Sequence, residues 1–182
     1  MNILRTLFHL VSLSYARLTE LNIFLTRRMV FSQLFYCSPL WSSTSKKNVS
    51  KLQSVQNFAA RVVTGSRNFE HISLFLRDLN WLPVNSVLIY RVGTLKFKCV
   101  KGLTPESLCS RFVTRATAHD RNTRNKNKLG IPGYKSAAGQ WSLVYRSVTM
   151  WNSLPITITD CSNLGKFKRI ERLSFQLYFS NS

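Results

Sequence analysis

The residues able to do chemistry are few and scattered. The 182-residue chain carries seven Asp and Glu, none beside another, and the closest pair in sequence is Glu70 and Asp78. Two-metal chemistry needs carboxylates that converge on the ions, and no such phrase is visible. The four cysteines, Cys37, Cys99, Cys109 and Cys161, form no CxxC pair, so the spacing fits neither a zinc knuckle nor a disulfide framework. His71 and His119 could join Cys99 or Cys109 in a nucleophilic dyad or a metal site only if the fold happened to bring them together. There is no Gly-rich phosphate loop, no GxSxG and no HExxH. The expectation is a chain with no catalytic residue, no metal ligand, no cofactor and no small-molecule substrate. The cysteines read as buried, reduced thiols of an intracellular protein, nuclear or cytoplasmic.

What the chain has instead is positive charge. Twenty-six Lys and Arg against the seven acids give a formal +19 and a pI near 10.6, which favours a polyanionic partner. Nucleic acid is the first candidate and an anionic membrane surface the second. The surplus is dense from Arg111 to Lys135, where seven cations meet the single acid Asp120 and are interspersed with Asn122, Thr123, Asn125 and Asn127. Cations release counterions from phosphates, and amide or hydroxyl donors fix register. Arg115, Arg121, Arg124, Lys126 and Lys128 are the main candidate nucleic-acid contacts, with Arg61 and Arg67 as further ones. A solvated charged loop is the alternative for the same segment.

The elements that must hold these residues read as helices. In Lys51–Gly65 (KLQSVQNFAARVVTG), Leu52, Val55, Ala59, Val62 and Val63 fall on one helical face, with Gln53, Gln56, Asn57 and Arg61 opposite. Gly65 supplies a left-handed terminus. Further helices are expected over Leu21–Leu34, stopped before Pro39, over His71–Leu79, closed by Pro83, and over Val87–Cys99, ended near Gly102. Thr104-Pro105-Glu106 has the form of an N-cap, an N1 proline and a first-turn acid, opening a short helix to about Phe112. Trp141, Leu143 and Tyr145 alternate with polar or smaller residues and suit a brief strand. Leu164, Phe167, Ile170, Leu173 and Leu177 mark a last helix. Trp151, beside Leu154 and Pro155, reads as core, with stacking on a base as the alternative. The fold class expected is mainly α, with a small β-hairpin or short sheet between Leu129 and Tyr145.

Several phrases go beyond periodicity. Leu52–Gly65 (LQSVQNFAARVVTG) resembles the segment after the polymerase core in reverse transcriptases of LINE-type (non-LTR) retrotransposons of the jockey-like group. Tyr36, Cys37 and Trp41 are similar to that family's Tyr-Cys-x-x-x-Trp phrase, and Leu79–Val84 (LNWLPV) to its Leu-x-Trp-Leu-Pro-Val element. Gly102, Pro105 and Leu108 match Gly-x-x-Pro-x-x-Leu, and His119, Arg121, Thr123 and Arg124 match His-x-Arg-x-Thr-Arg. Trp151, Asn152, Leu154 and Pro155 resemble a Trp-Asn-x-Leu-Pro signature, and a Phe-Lys-containing helix closes both. The match runs from about residue 24 to the end. It implies a thumb-like helical region over 21–112, a basic loop and small α+β tail over 113–182, and an unmatched extension over 1–20. It also implies work on RNA, DNA or a hybrid beside a polymerase core whose catalytic aspartates and endonuclease this chain lacks.

Three functional readings follow. The first is a non-catalytic nucleic-acid-binding module that uses backbone phosphates. The second is a retrotransposon relic without present activity, its charge inherited from a larger enzyme. The third rests on Met1–Arg17, basic and free of acids, which could pass for a weak secretory signal or a mitochondrial presequence and would make an organelle-targeted or membrane-associated protein. The simplest expectation for that stretch is the arbitrary start of a truncated reading frame. No run approaches the length of a membrane span.

Overall fold

A computed structural model describes residues 19–67, 70–112, 115, 128–170 and 172. Among them the chain is helical and no strand forms. It divides into two compact units, one of residues 1–38 and 44–88, the other of 39–43 and 89–182.

The first unit is built on α3, Lys46–Thr64. The Ser45 hydroxyl accepts from the Asn48 amide at 3.3 Å and caps the helix, seven residues before the first apolar-face residue, Leu52. Gly65 ends it at φ 68°, the left-handed conformation that glycine adopts without strain. Ala59 and Ala60 are wholly buried and small enough to let backbones approach, and Val63 extends the same face. They share a core with Val30, Leu76, Leu79 and Trp81. Val30 comes from α1, which runs Thr19–Leu25, continues through a wider π-helical turn at Thr26–Phe31, and finishes at Ser32–Leu34. Beyond it Cys37 takes a left-handed φ of 46° and stands exposed, contrary to its expected burial. The short α2, Ser38–Trp41, follows and carries Pro39 inside its first turn.

Leu76 and Leu79 belong to α4, Ile72–Asp78, and to its C-cap. Pro83 does not close this helix. Asn80 turns left-handed at φ 54°, and the Trp81 amide donates back to the Leu76 carbonyl at 2.7 Å, so the chain leaves the helix three residues before the proline. The turn drives Trp81 into the core, edge-on to Phe31 with 4.6 Å between ring centres. α5, Val84–Val100, gives its residues up to Leu88 to the first unit and the rest to the second. Gly102, at φ 66°, and the Leu103 amide, which donates to the Lys98 carbonyl at 2.8 Å, end it as the sequence suggests.

The second unit is organised around three aromatic rings. Phe97 and Phe167 are wholly buried with 4.5 Å between ring centres, and Trp151 lies 5.8 Å from Phe167. Leu129, Val148, Ile158 and Cys161 complete the core. α6, Glu106–Cys109, is shorter than expected, and Pro105 rather than Thr104 stands at its N-cap. The Thr104 hydroxyl is engaged elsewhere, with two sulfur atoms.

The expected hairpin is absent from the described residues. Leu129 makes an isolated bridge; the chain then enters α7, Ala137–Gln140, and α8, Leu143–Ser153. The alternation over 141–145 misleads because it ends where a helix begins. The Ser142 hydroxyl accepts from the Tyr145 amide at 3.3 Å as an N-cap, and the pattern that matters is Val144, Val148 and Trp151 at helical spacing. Gly139 fits the turn before it only because it lacks a Cβ, which would fall 2.7 Å from the Tyr134 Cβ. α9, Ile156–Thr159, follows Pro155, and a last helix, α10, occupies 164–170. The part of that helix expected to reach Leu177 lies outside the described residues.

Candidate nucleic-acid interface

The basic segment is anchored at its two ends. The Arg115 amide donates to the Lys128 carbonyl at 2.9 Å, so these two positions lie side by side in the second unit. Lys128 is exposed and Arg115 half-buried. The next residue, Leu129, is held on both sides of its peptide by one side chain. Its amide donates to Asn152 Oδ1 at 3.0 Å, and Asn152 Nδ2 donates to its carbonyl at 3.0 Å. Asn152 follows Trp151 on α8, and Leu129 sinks into the aromatic core. This bidentate amide satisfies two backbone groups that burial would otherwise orphan.

Of the five main candidates, the structure thus brings Arg115 and Lys128 together, while Arg121, Arg124 and Lys126 lie outside the described residues. Arg111, Lys135, Lys166 and Arg169 are exposed elsewhere on the same unit. Trp151 is core, 6 % exposed, so it presents no face to a base. Among the described residues of this unit the most exposed aromatic is Trp141 at 64 %, ahead of Tyr134 at 43 %, and its place in an alternating pattern concealed it.

The two further candidates belong to the first unit. Arg67 is exposed; its backbone amide donates to Glu70 Oε2 at 3.3 Å. Arg61 is half-buried and turned inward, donating from Nη2 to the Glu70 carbonyl at 3.5 Å. Inward use of guanidinium recurs in the second unit. Arg146 donates to the Trp141 carbonyl and the Ser42 hydroxyl, each at 2.9 Å, and burial lowers its pKa. Burial also lowers that of Arg91, against the opposing influence of Tyr90.

Sequence reasoning passed over the exposed cations Arg27, Arg28, Lys46, Lys47 and Lys51 of the first unit. Lys46 and Lys47 occupy the first turn of α3, where the macrodipole disfavours cations by about 0.3–1 kcal/mol each. The signal was readable in Ser45-Lys46-Lys47-Asn48 once Ser45 is taken as the cap. Seven carboxylates cannot neutralise twenty-six cations, which leaves the formal surplus of +19.

Among the described residues no group of three His, Cys, Asp or Glu could hold a metal ion, and no helix is long and apolar enough to cross a membrane. No protein-family model, curated protein or solved structure matches the chain.

Proposed function

We propose that this chain is a non-catalytic nucleic-acid-binding fragment, descended from the C-terminal, post-palm part of a LINE-type reverse transcriptase, that grips phosphate backbones of RNA or an RNA–DNA hybrid. The observation that carries it is the cation-rich segment closed at its base by Arg115 and Lys128 and fastened to a packed core through Asn152. A phosphate site gains from such anchorage because less ordering entropy is lost on binding. The family-like phrases support the same descent. Leu-x-Trp-Leu-Pro-Val places Trp81 in one core, and Trp-Asn-x-Leu-Pro places Trp151 and Asn152 at the other.

The test is fluorescence-anisotropy binding to labelled RNA, DNA and hybrid duplexes across a salt series. Wild type is compared with a variant in which Arg115, Arg121, Arg124, Lys126 and Lys128 are all changed to Ala. Six phosphate contacts correspond to an affinity loss of about a thousandfold between 50 and 200 mM salt. The variant should bind more weakly with a shallower salt slope. Equal slopes would make the charge diffuse and leave the relic reading in its place. Trp141→Ala separates single strands from duplexes: a stacking contact costs single-strand binding about 1–3 kcal/mol when removed and leaves duplex binding unchanged.

A further inference from the structure

The second unit contains a cluster of nucleophiles that nucleic-acid binding does not use. Lys96 and Cys99 stand three residues apart on α5, one above the other on the same face. Lys96 is 1 % exposed, yet its Nζ has no hydrogen-bond partner, only the face of Phe112, whose ring centre is 3.2 Å away. Phe112 follows Cys109 by three residues, at the far end of α6. Between the two cysteines Thr104 bridges the sulfurs. Its hydroxyl lies 3.4 Å from Cys99 Sγ, to which it donates, and 3.0 Å from Cys109 Sγ. Cys109 Sγ in turn donates to the Thr104 carbonyl at 3.3 Å. Both thiols are free; Cys99 is buried and Cys109 is half-exposed. The connecting turn, Lys101-Gly102-Leu103, is exposed, and a Cβ at Gly102 would meet nothing within 4 Å, so the turn has room to adjust.

We infer that Cys109, Cys99 and Lys96 form a peroxide-reactive dithiol site, in which Cys109 attacks a hydroperoxide and Cys99 resolves the product as a disulfide. Cys109 is the attacking group because it is the more exposed sulfur. Its proton passes to the Lys96 amine, which must turn from the Phe112 ring to reach it, as its sulfur bonds to one peroxide oxygen and the O–O bond breaks. The departing hydroxide or alkoxide takes that proton and leaves as water or alcohol, with a sulfenic acid on Cys109. The Cys99 thiol then attacks the Cys109 sulfur; the S–S bond forms, the S–O bond breaks, and the leaving hydroxide takes the Cys99 proton as a second water. Two thiols lose two electrons and one hydroperoxide gains them. Thr104 must swing its hydroxyl aside for the sulfurs to meet. Burial lowers the Lys96 amine to about 7, with the cysteine charges acting in the opposite sense. A base of that strength is half unprotonated at neutral pH and available to accept the proton.

The test uses the full chain carrying Cys37→Ser, so that the exposed thiol does not compete. The protein is treated with hydrogen peroxide, free thiols are blocked, and peptides are mapped by mass spectrometry. A Cys99–Cys109 linked peptide lighter by two hydrogens is expected, and it depends on no variant of the site itself. In Cys99→Ser, oxidation should stop at a sulfenic acid on Cys109 that dimedone captures. Lys96→Met should slow Cys109 oxidation at neutral pH by at least about tenfold, and the wild-type rate should fall below about pH 7, where the amine is protonated. Absence of the linked peptide, with Cys109 oxidised no faster than buried Cys161, overturns the proposal. So does a Lys96→Met rate equal to wild type at neutral pH.

Discussion

Two buried polar clusters, one in each unit, are treated in opposite ways. On α3, Gln53 Nε2 donates to Gln56 Oε1 at 3.0 Å and to Asn57 Oδ1 at 2.8 Å. Gln53 Oε1 accepts from the Val84 amide, and Gln56 Nε2 donates to the Leu82 carbonyl, each at 2.8 Å. These amides therefore clamp the Trp81–Val84 turn to the helix, and their polarity specifies where the turn must lie. Lys96 in the second unit is buried to the same degree as Gln56, at 1 % exposure, but offers its donors only to the face of a ring. The first cluster specifies a fold; the second costs stability without directing one. A side chain of the second kind is where chemistry should be sought.

The largest effect should come from breaking the first cluster. Gln56→Ala leaves the Leu82 carbonyl without its donor and opens a cavity beside Ala59 and Ala60. The expected loss is about 2–4 kcal/mol, measured by urea unfolding. A loss below about 1 kcal/mol would mean that the turn holds itself and the amide clamp specifies nothing. Asn152→Ala applies the same logic in the second unit, where two backbone groups of Leu129 lose their partner at once, and should cost about 1–3 kcal/mol. That variant should also weaken RNA binding, since Asn152 fastens the base of the cationic segment.

How far this was readable from the sequence differs between the clusters. The face of α3, its Gly65 terminus and the Gly102 stop follow from period and glycine alone. Gln56 was assigned to the polar face because periodicity counts an amide as polar, and nothing local announces that a carbonyl 26 positions later will satisfy it. Asn80 ends α4 ahead of Pro83 because asparagine tolerates the left-handed conformation, a signal the more conspicuous proline hid. The brief strand was inferred from three alternating residues, while Ser142 followed by apolar residues at helical spacing outweighed them. The division into units falls inside α5, after Leu88, where no shift of composition marks it. Of the candidate site, the charge was plain in the sequence, but its anchorage through Asn152 and the convergence of Lys96, Cys99 and Cys109 depend on contacts that only the fold creates.

Removing the amine should have a smaller effect, and of opposite sign. Lys96→Met replaces an unpartnered donor by an apolar chain of similar length, and stability should rise by about 1–2 kcal/mol near pH 6. The sign with pH follows from burial. The folded-state pKa, about 7, lies below the ordinary 10.5, so between those values the unfolded chain holds the extra proton. Wild-type stability therefore falls as pH drops from about 10.5 to about 7 and is flat below. Thermal unfolding of both proteins across that range should show the variant's advantage greatest at the acid end and mostly gone at the alkaline end. A gap independent of pH would mean that the amine is neutral throughout, or solvated.

The smallest change asks whether Lys96 is special for being buried without a partner or for being ionisable. Thr26, in the π-helical turn of the first unit, is wholly buried, and its hydroxyl has no hydrogen-bond partner. Thr26→Val keeps the shape and removes only the orphaned hydroxyl, so it should stabilise by about 0.5–1 kcal/mol. Nothing titrates, and that gain must stay constant over the pH range in which the Lys96→Met gain disappears. Parallel melts of the two variants separate the desolvation of a polar group from the desolvation of a charge within one protein. If the Thr26→Val gain also declined toward alkaline pH, the trend would not depend on an ionisable side chain at the substituted site, and Lys96 would lose its claim to the effect.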